Sequence, residues 1–182
     1  MIVDTESDIF NTLDEIDFII NRLKSDIKLQ NKKITMKLLF KATRDGQHCS
    51  KFHSKCDKKV QQLVFIKTTK GEIFGGYTEE GFRSRNESLV DNNAFVFSFS
   101  RKKIYNAKYN EKVIFDHNSY GPYFNGSCYG AFYIPSDMLN EKSYTCEIKY
   151  SRFNGMTIDY ELNNGQQCFY IQEIEIYQIL YN

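Results

Sequence analysis

Tryptophan is absent from this chain of 182 residues, and proline occurs only twice. Low-complexity tracts are missing too, and so are long apolar runs. The unbroken ones are short, such as Leu63-Val64-Phe65-Ile66, whereas a helix that crosses a bilayer needs ~20 apolar residues. That excludes a membrane-spanning helix and predicts no membrane insertion. The start, Met1-Ile2-Val3-Asp4, has neither a basic opening nor an apolar stretch, which predicts no secretory signal. No Cys-x-x-Cys pair occurs among Cys49, Cys56, Cys128, Cys146 and Cys168. An odd count without a signal reads as reduced thiols, so the expected location is cytoplasmic or nuclear.

What is present is globular in character. Hydrophobic residues make up 41% and charged residues 26%, values that argue against a disordered chain. Aromatics reach 15%, with Phe 15 and Tyr 13, which predicts a β-rich packed body. The length suits one domain with a modest extension. Net charge is only +1, but it is unevenly spread. Residues 1–23 carry one basic and six acidic groups, residues 24–70 thirteen and three, and residues 71–182 ten and fourteen. The middle segment therefore has an attractive field for anions.

Residues 4–31 read as a single helix. Ile9, Leu13, Ile16, Ile20, Leu23 and Ile27 are spaced 4, 3, 4, 3 and 4 apart, a heptad seam without Gly or Pro. Such a helix of about 28 residues would be ~42 Å long, more than a small domain needs. It either self-associates as a coiled coil or lies along its own domain. The narrow, regular seam favours a homo-oligomer. Residues 1–33 are thus expected as an oligomerisation element and 34–182 as the body.

Within the body, 36–40 reads as a short strand or the end of a helix, and strands are expected at 63–69 and 72–78, forming a hairpin around Lys70-Gly71. Others are expected at 94–99, 113–115, 129–134 and 144–150. A last hairpin would join 157–162 to 168–180 across Asn163-Asn164-Gly165. Residues 50–58 read as a helix, and Gly75-Gly76 as a bulge or a close backbone approach. The fold class is α+β, mainly β: a two-sheet antiparallel β-sandwich with flanking helices, plus the N-terminal amphipathic helix.

Enzyme motifs fail. Gly126-Ser127-Cys128-Tyr129-Gly130 has its serine one place too early for a nucleophile elbow, and no phosphate-cradling glycine loop occurs. The densest set of metal-type ligands is His48, Cys49, His53 and Cys56, but His48 and Cys49 precede the helix that would present the other two. The bland reading is a helix packing Phe52 and Cys56 inward. Glu173 and Glu175 alternate with Ile174 and Ile176, placing two carboxylates ~7 Å apart on one strand face; a solvated sheet face is the default for them. His117 reads as a surface histidine. Cys49 lies beside His48 and Lys51, and Cys56 lies next to Lys55 and close to Lys58; of the two, Cys49 is the candidate for redox reactivity. Cys128, Cys146 and Cys168 sit in strand patterns and read as inert. No catalytic residue and no cofactor is assigned.

The order of these segments resembles the TLDc domain. The segments that carry the resemblance are Leu38-Leu39-Phe40-Lys41-Ala42-Thr43-Arg44-Asp45-Gly46, Phe52-His53-Ser54-Lys55-Cys56-Asp57 and Leu63-Val64-Phe65-Ile66-Lys67-Thr68-Thr69. Then come Ile73-Phe74-Gly75-Gly76-Tyr77-Thr78, Ala94-Phe95-Val96-Phe97-Ser98, Gly121-Pro122-Tyr123-Phe124 and Glu173-Ile174-Glu175-Ile176-Tyr177. The resemblance implies a β-sandwich with flanking helices that serves as a protein-interaction module linked to oxidative-stress resistance. It also implies a protein partner, the peripheral part of the vacuolar proton pump in several members. It supplies no catalytic residues. An alternative reading is a nucleic-acid-binding regulator using Lys28, Lys32, Lys33, Lys37, Lys41, Arg44, Lys51, Lys55, Lys58 and Lys59, whose phosphate contacts would weaken steeply with salt.

Overall fold

The computed structural model describes residues 2–3, 7–25, 32–124 and 131–182. In chain order, β1 (Ile2–Val3) precedes a 3-10 turn at Asp14–Ile16 that runs into α1 (Asp17–Lys24). β2 (Ile34–Lys41), α2 (Ala42–Asp45) and α3 (Cys49–Cys56) follow. Next come β3 (Gln62–Thr68), β4 (Ile73–Thr78), β5 (Glu87–Val90) and β6 (Phe95–Ser98). The chain continues with β7 (Lys103–Asn106), β8 (Lys112–Asp116), β9 (Phe132–Tyr133) and β10 (Ser143–Thr145). It closes with β11 (Cys168–Phe169) and β12 (Ile171–Tyr181).

Seven strands form the main sheet in the order β1-β2-β12-β3-β4-β6-β7. Every pairing in it is antiparallel except that of β1 with β2. The 11-residue β12 lies between β2 and β3. Two smaller ladders, β5-β8 and β11-β10-β9, are linked through Phe124, which bridges to Ile114 in β8 and to Phe132 in β9. They approach the main sheet where Phe74 of β4 meets Phe132 at 5.8 Å and Phe169 at 5.1 Å. The mainly-β, antiparallel character expected from the sequence is what forms, with few helices.

Both faces of the main sheet are covered. Alternate residues of β3 divide between two cores: Val64 and Ile66 face the smaller ladders and α3, whereas Leu63 and Phe65 face the N-terminal segment. Such continuous apolar runs mark a strand buried on both sides. In β2 the register shifts between Tyr177, opposite Leu38, and Ile176, opposite Phe40. The extra residue, Leu39, turns Phe40 to the face opposite Ile34 and Met36. Gly75 and Gly76 are a close approach, as expected. A Cβ on Gly76 would sit 2.7 Å from the Phe124 ring, and one on Gly75 2.7 Å from the Phe97 ring.

The long N-terminal helix does not form as expected. Residues 7–13 are not helical, and α1 has eight residues. Residues 4–6 and 26–31, including Ile27 and Lys28, lie outside the described residues. Ile9, Ile16, Ile20 and Leu23 are buried within the chain itself, together with Phe10 and Ile19, against Phe65, Phe95, Phe97 and Tyr177. The apolar stripe is therefore wider than a coiled-coil seam and matches a helix lying on a sheet. Of the seam residues that are described, Leu13 is left 39% exposed. Upstream of α1, the Ser7 hydroxyl accepts from the backbone N–H groups of Ile9 and Phe10, which bends the chain and replaces a helical turn there.

The expected last hairpin is also corrected. Glu161–Asn163 is a 3-10 turn, and β12 pairs with β2 and β3. The cause is Glu161, whose buried carboxylate accepts from the backbone of Thr157 at 2.5 Å and wraps 157–161 into a loop. The helix expected at 50–58 and the hairpin around Gly71 (φ 87°) both form.

Candidate functional site

The two glutamates of β12 are buried, not solvated, which overturns the default reading of that strand face. Glu175 is fully enclosed on the face that carries the N-terminal segment. It accepts from Ser7 Oγ at 2.6 Å, from the Asp8 backbone at 2.8 Å and from the Tyr177 hydroxyl at 2.8 Å. Lys41 Nζ stands 3.5 Å from Glu175 and 2.5 Å from Asp8. Burial works against the Lys41 ammonium, but its bond to Asp8 and the charges of Glu175 and Glu173 outweigh this and raise its pKa. Glu173 accepts from the backbone and hydroxyl of Thr43, fixing the first turn of α2 to β12. Donors occupy both oxygens of each carboxylate.

Three more buried acids, Asp91, Asp116 and Glu161, do similar work. Asp116 accepts from the backbone N–H groups of Arg83, Ser84 and Arg85 and from the Arg85 guanidinium at 3.0 Å. Asp91 accepts from Thr78 Oγ1 at 2.8 Å and from the N–H groups of Glu79, Glu80 and Asn93. Glu161 accepts from the Tyr105 hydroxyl at 2.8 Å and from Lys103 at 3.3 Å. Burial opposes the Glu161 anion, yet the Thr157 N–H, the Tyr105 hydroxyl and Lys103 together hold its pKa below the usual value. The only local signal was turn chemistry, as in Asp91-Asn92-Asn93.

His48, Cys49, His53 and Cys56 do not converge. His48 caps α3 by accepting from the Ser50 N–H. Cys49 directs its thiol toward the Asn118 carbonyl at 3.7 Å, and Cys56 is buried in the core. Among the described residues, no three His, Cys, Asp or Glu side chains gather in a way that would hold a metal ion. His53 instead joins Asp57 and Ser84. Its Nδ1 lies 2.9 Å from Asp57 Oδ1 and 3.0 Å from Ser84 Oγ, while Ser84 donates to Asp57 Oδ2 at 2.6 Å. The residue types are those of a hydrolytic triad, but the wiring differs. A triad puts the acid on one ring nitrogen and the serine on the other. Here both sit on Nδ1, and Nε2 donates to the Tyr120 carbonyl at 2.9 Å. The trio ties α3 to the loop before β5.

Among the described cysteines, burial reverses the sequence expectation. Burial raises the pKa of the Cys49 thiol, so its basic neighbours do not make it the reactive one. Cys56 is pushed well up and Cys146 to about 12, both by burial. Cys168 is exposed. Cys128 lies outside the described residues.

The basic segment is dispersed. Lys41 is held by Asp8 and Glu175, while Arg44 at 2.7 Å and Lys55 at 4.0 Å flank Asp45. Lys32, Lys33, Lys37, Lys51, Lys58 and Lys59 are exposed, on several elements. One sheet face does carry a continuous motif of another kind. On the smaller ladders, Phe124 and Phe132 are fully buried, and Tyr133, next to Phe132, is half-buried. A row of rings, half-buried except for the buried Tyr123, lies there: His117 stacks on Phe115 at 5.4 Å, Tyr120 lies 5.3 Å from Tyr133, and Tyr133 stacks on Tyr144 at 6.4 Å. Tyr123 fills the row between Phe115 and Tyr133. His117 is half-buried and belongs to this aromatic row.

These features define a mainly-β domain whose buried charged groups serve its own loops. The TLDc domain family model matches residues 4–180. The chain belongs to the TLDc domain family. No curated protein matches it.

Proposed function

We propose that the chain is a non-catalytic, TLDc-type interaction module linked to oxidative-stress resistance. On this reading the main sheet and the smaller ladders are the two layers of the TLDc sandwich, and the partner is the peripheral part of a vacuolar proton pump. The observation that carries the reading is the family match over residues 4–180. It is supported by the wiring of His53, Glu173 and Glu175, which serves packing. The docking face is the aromatic row, because tyrosines give large contact area with a polar tip and dominate many interfaces. The experiment is capture of the isolated peripheral pump sector by the purified chain, wild type against Tyr133→Ala. Retention that falls at least tenfold in the variant is the expected result. A chain that retains no pump sector, or a variant that binds as wild type, overturns the partner or the face respectively.

A further inference from the structure

A cavity of about 250 Å³ opens between the tip of the β3–β4 hairpin and the end of the β10–β11 ladder. Buried Thr68, Asn163 and Phe169 form its floor, and the exposed Lys70, Lys142 and Cys168 its rim. The Tyr170 ring, 47% exposed, completes the wall. Among the described residues, no acidic side chain lines it. Neither lysine pairs with a carboxylate among the described residues. The nearby Glu72 accepts from Asn164 at 3.3 Å and from Ser100 at 3.2 Å. Two free cations over a largely apolar hollow is the pattern that takes a small organic anion with an apolar body. The thiol on the same rim gives that binding a chemical consequence.

We propose that this cavity binds small organic anions, and that Cys168 exchanges preferentially with anionic disulfides held there. The step balances without another reagent. The Cys168 thiol gives its proton to water, and its sulfur attacks one sulfur of the disulfide. A new S–S bond joins Cys168 to one half, and the other half leaves as a thiolate. The disulfide is the oxidant. The buried Cys49, Cys56 and Cys146 have no such access. This inference is independent of the pump reading and survives its failure.

The test measures exchange at Cys168 in the full chain, located by peptide mass spectrometry, with Cys168→Ser as reference. The probes are the dianionic dithiobis(nitrobenzoate) and the neutral dithiodipyridine. Two ammonium groups at the mouth should favour the dianion by about three- to tenfold. That preference should vanish in Lys70→Gln/Lys142→Gln and shrink in ~1 M salt, where the screening length is ~3 Å. Benzoate should slow alkylation of Cys168 by neutral iodoacetamide, and benzamide should not. A dianion-to-neutral ratio unchanged by the double substitution overturns the proposal, as does benzoate giving no protection. Both substituted lysines are exposed, so the variant keeps the fold.

Discussion

The two faces of the main sheet are covered by different means. One face is closed by a single stretch, residues 7–24, laid down as a bend and a short helix on aliphatic and aromatic side chains. The other is closed by many short pieces: α3, the two small ladders and the loops between them. On the first face Glu175 fastens the covering stretch. On the second, Asp91, Asp116 and Glu161 bind loops to strands one by one. A cover that is continuous in sequence needs few polar ties, because its own apolar stripe holds it. A cover made of loops has little stripe, so buried carboxylates must take up the backbone N–H groups that no strand or helix satisfies.

That contrast can be broken most severely on the first face. Ile20→Asp places a charge where 3% of the residue is exposed and should cost about 3–5 kcal/mol. Urea denaturation measures it. Unchanged stability with a halved molar mass in sedimentation would instead mean that the seam serves an oligomer. Asp116→Ala comes next. It strands three backbone N–H groups and takes one partner from the Arg85 guanidinium, which keeps the Gly81 carbonyl and Glu80, for about 2–4 kcal/mol by the same measurement. Glu175→Gln keeps the shape but loses the charge beside Lys41, and about 1–3 kcal/mol should follow. Faster amide exchange in residues 7–16, with little change around β8, would place the loss on the N-terminal cover.

The pH dependence comes from the second face and is smaller. Glu161 titrates below its usual 4.5 in the folded chain. A carboxylate lowered in this way contributes its full stability above the unfolded value, and that contribution fades as pH falls through the folded value. The urea midpoint of the wild type should therefore drop more steeply below about pH 4.5 than that of Glu161→Gln, which lacks the contribution at every pH. Equal slopes would deny Glu161 this role. The smallest effect is expected at Leu13, 39% exposed, where alanine should change stability by less than about 0.5 kcal/mol.

How much could be read from the sequence follows the same division. The runs Leu63 to Ile66 and Phe95 to Phe97 announce strands by composition, and they form. The stripe from Ile9 to Leu23 announces an amphipathic segment. Spacing alone does not say whether a sheet or another helix lies opposite; Phe10, Phe18 and Ile19, which widen the stripe, carry that information. Ladders of two or three residues, such as β9 and β10, fall below the length at which periodicity is visible. The glutamates of β12 were misplaced because alternation tells which residues share a face. It does not tell whether that face meets water. The Ser84, Asp57 and His53 trio joins residues 27 and 31 positions apart, a separation that no local pattern encodes.

The position of β12 has a consequence for biosynthesis. Residues 171–181 supply the strand that β2 and β3 both need as a neighbour, yet well over a hundred residues are translated between β2 and β12. While the ribosome is still making them, the main sheet lacks its middle. The aromatic faces of β3, β4 and β6 must then be kept from sticking to other chains until the stretch beginning at Ile171 emerges.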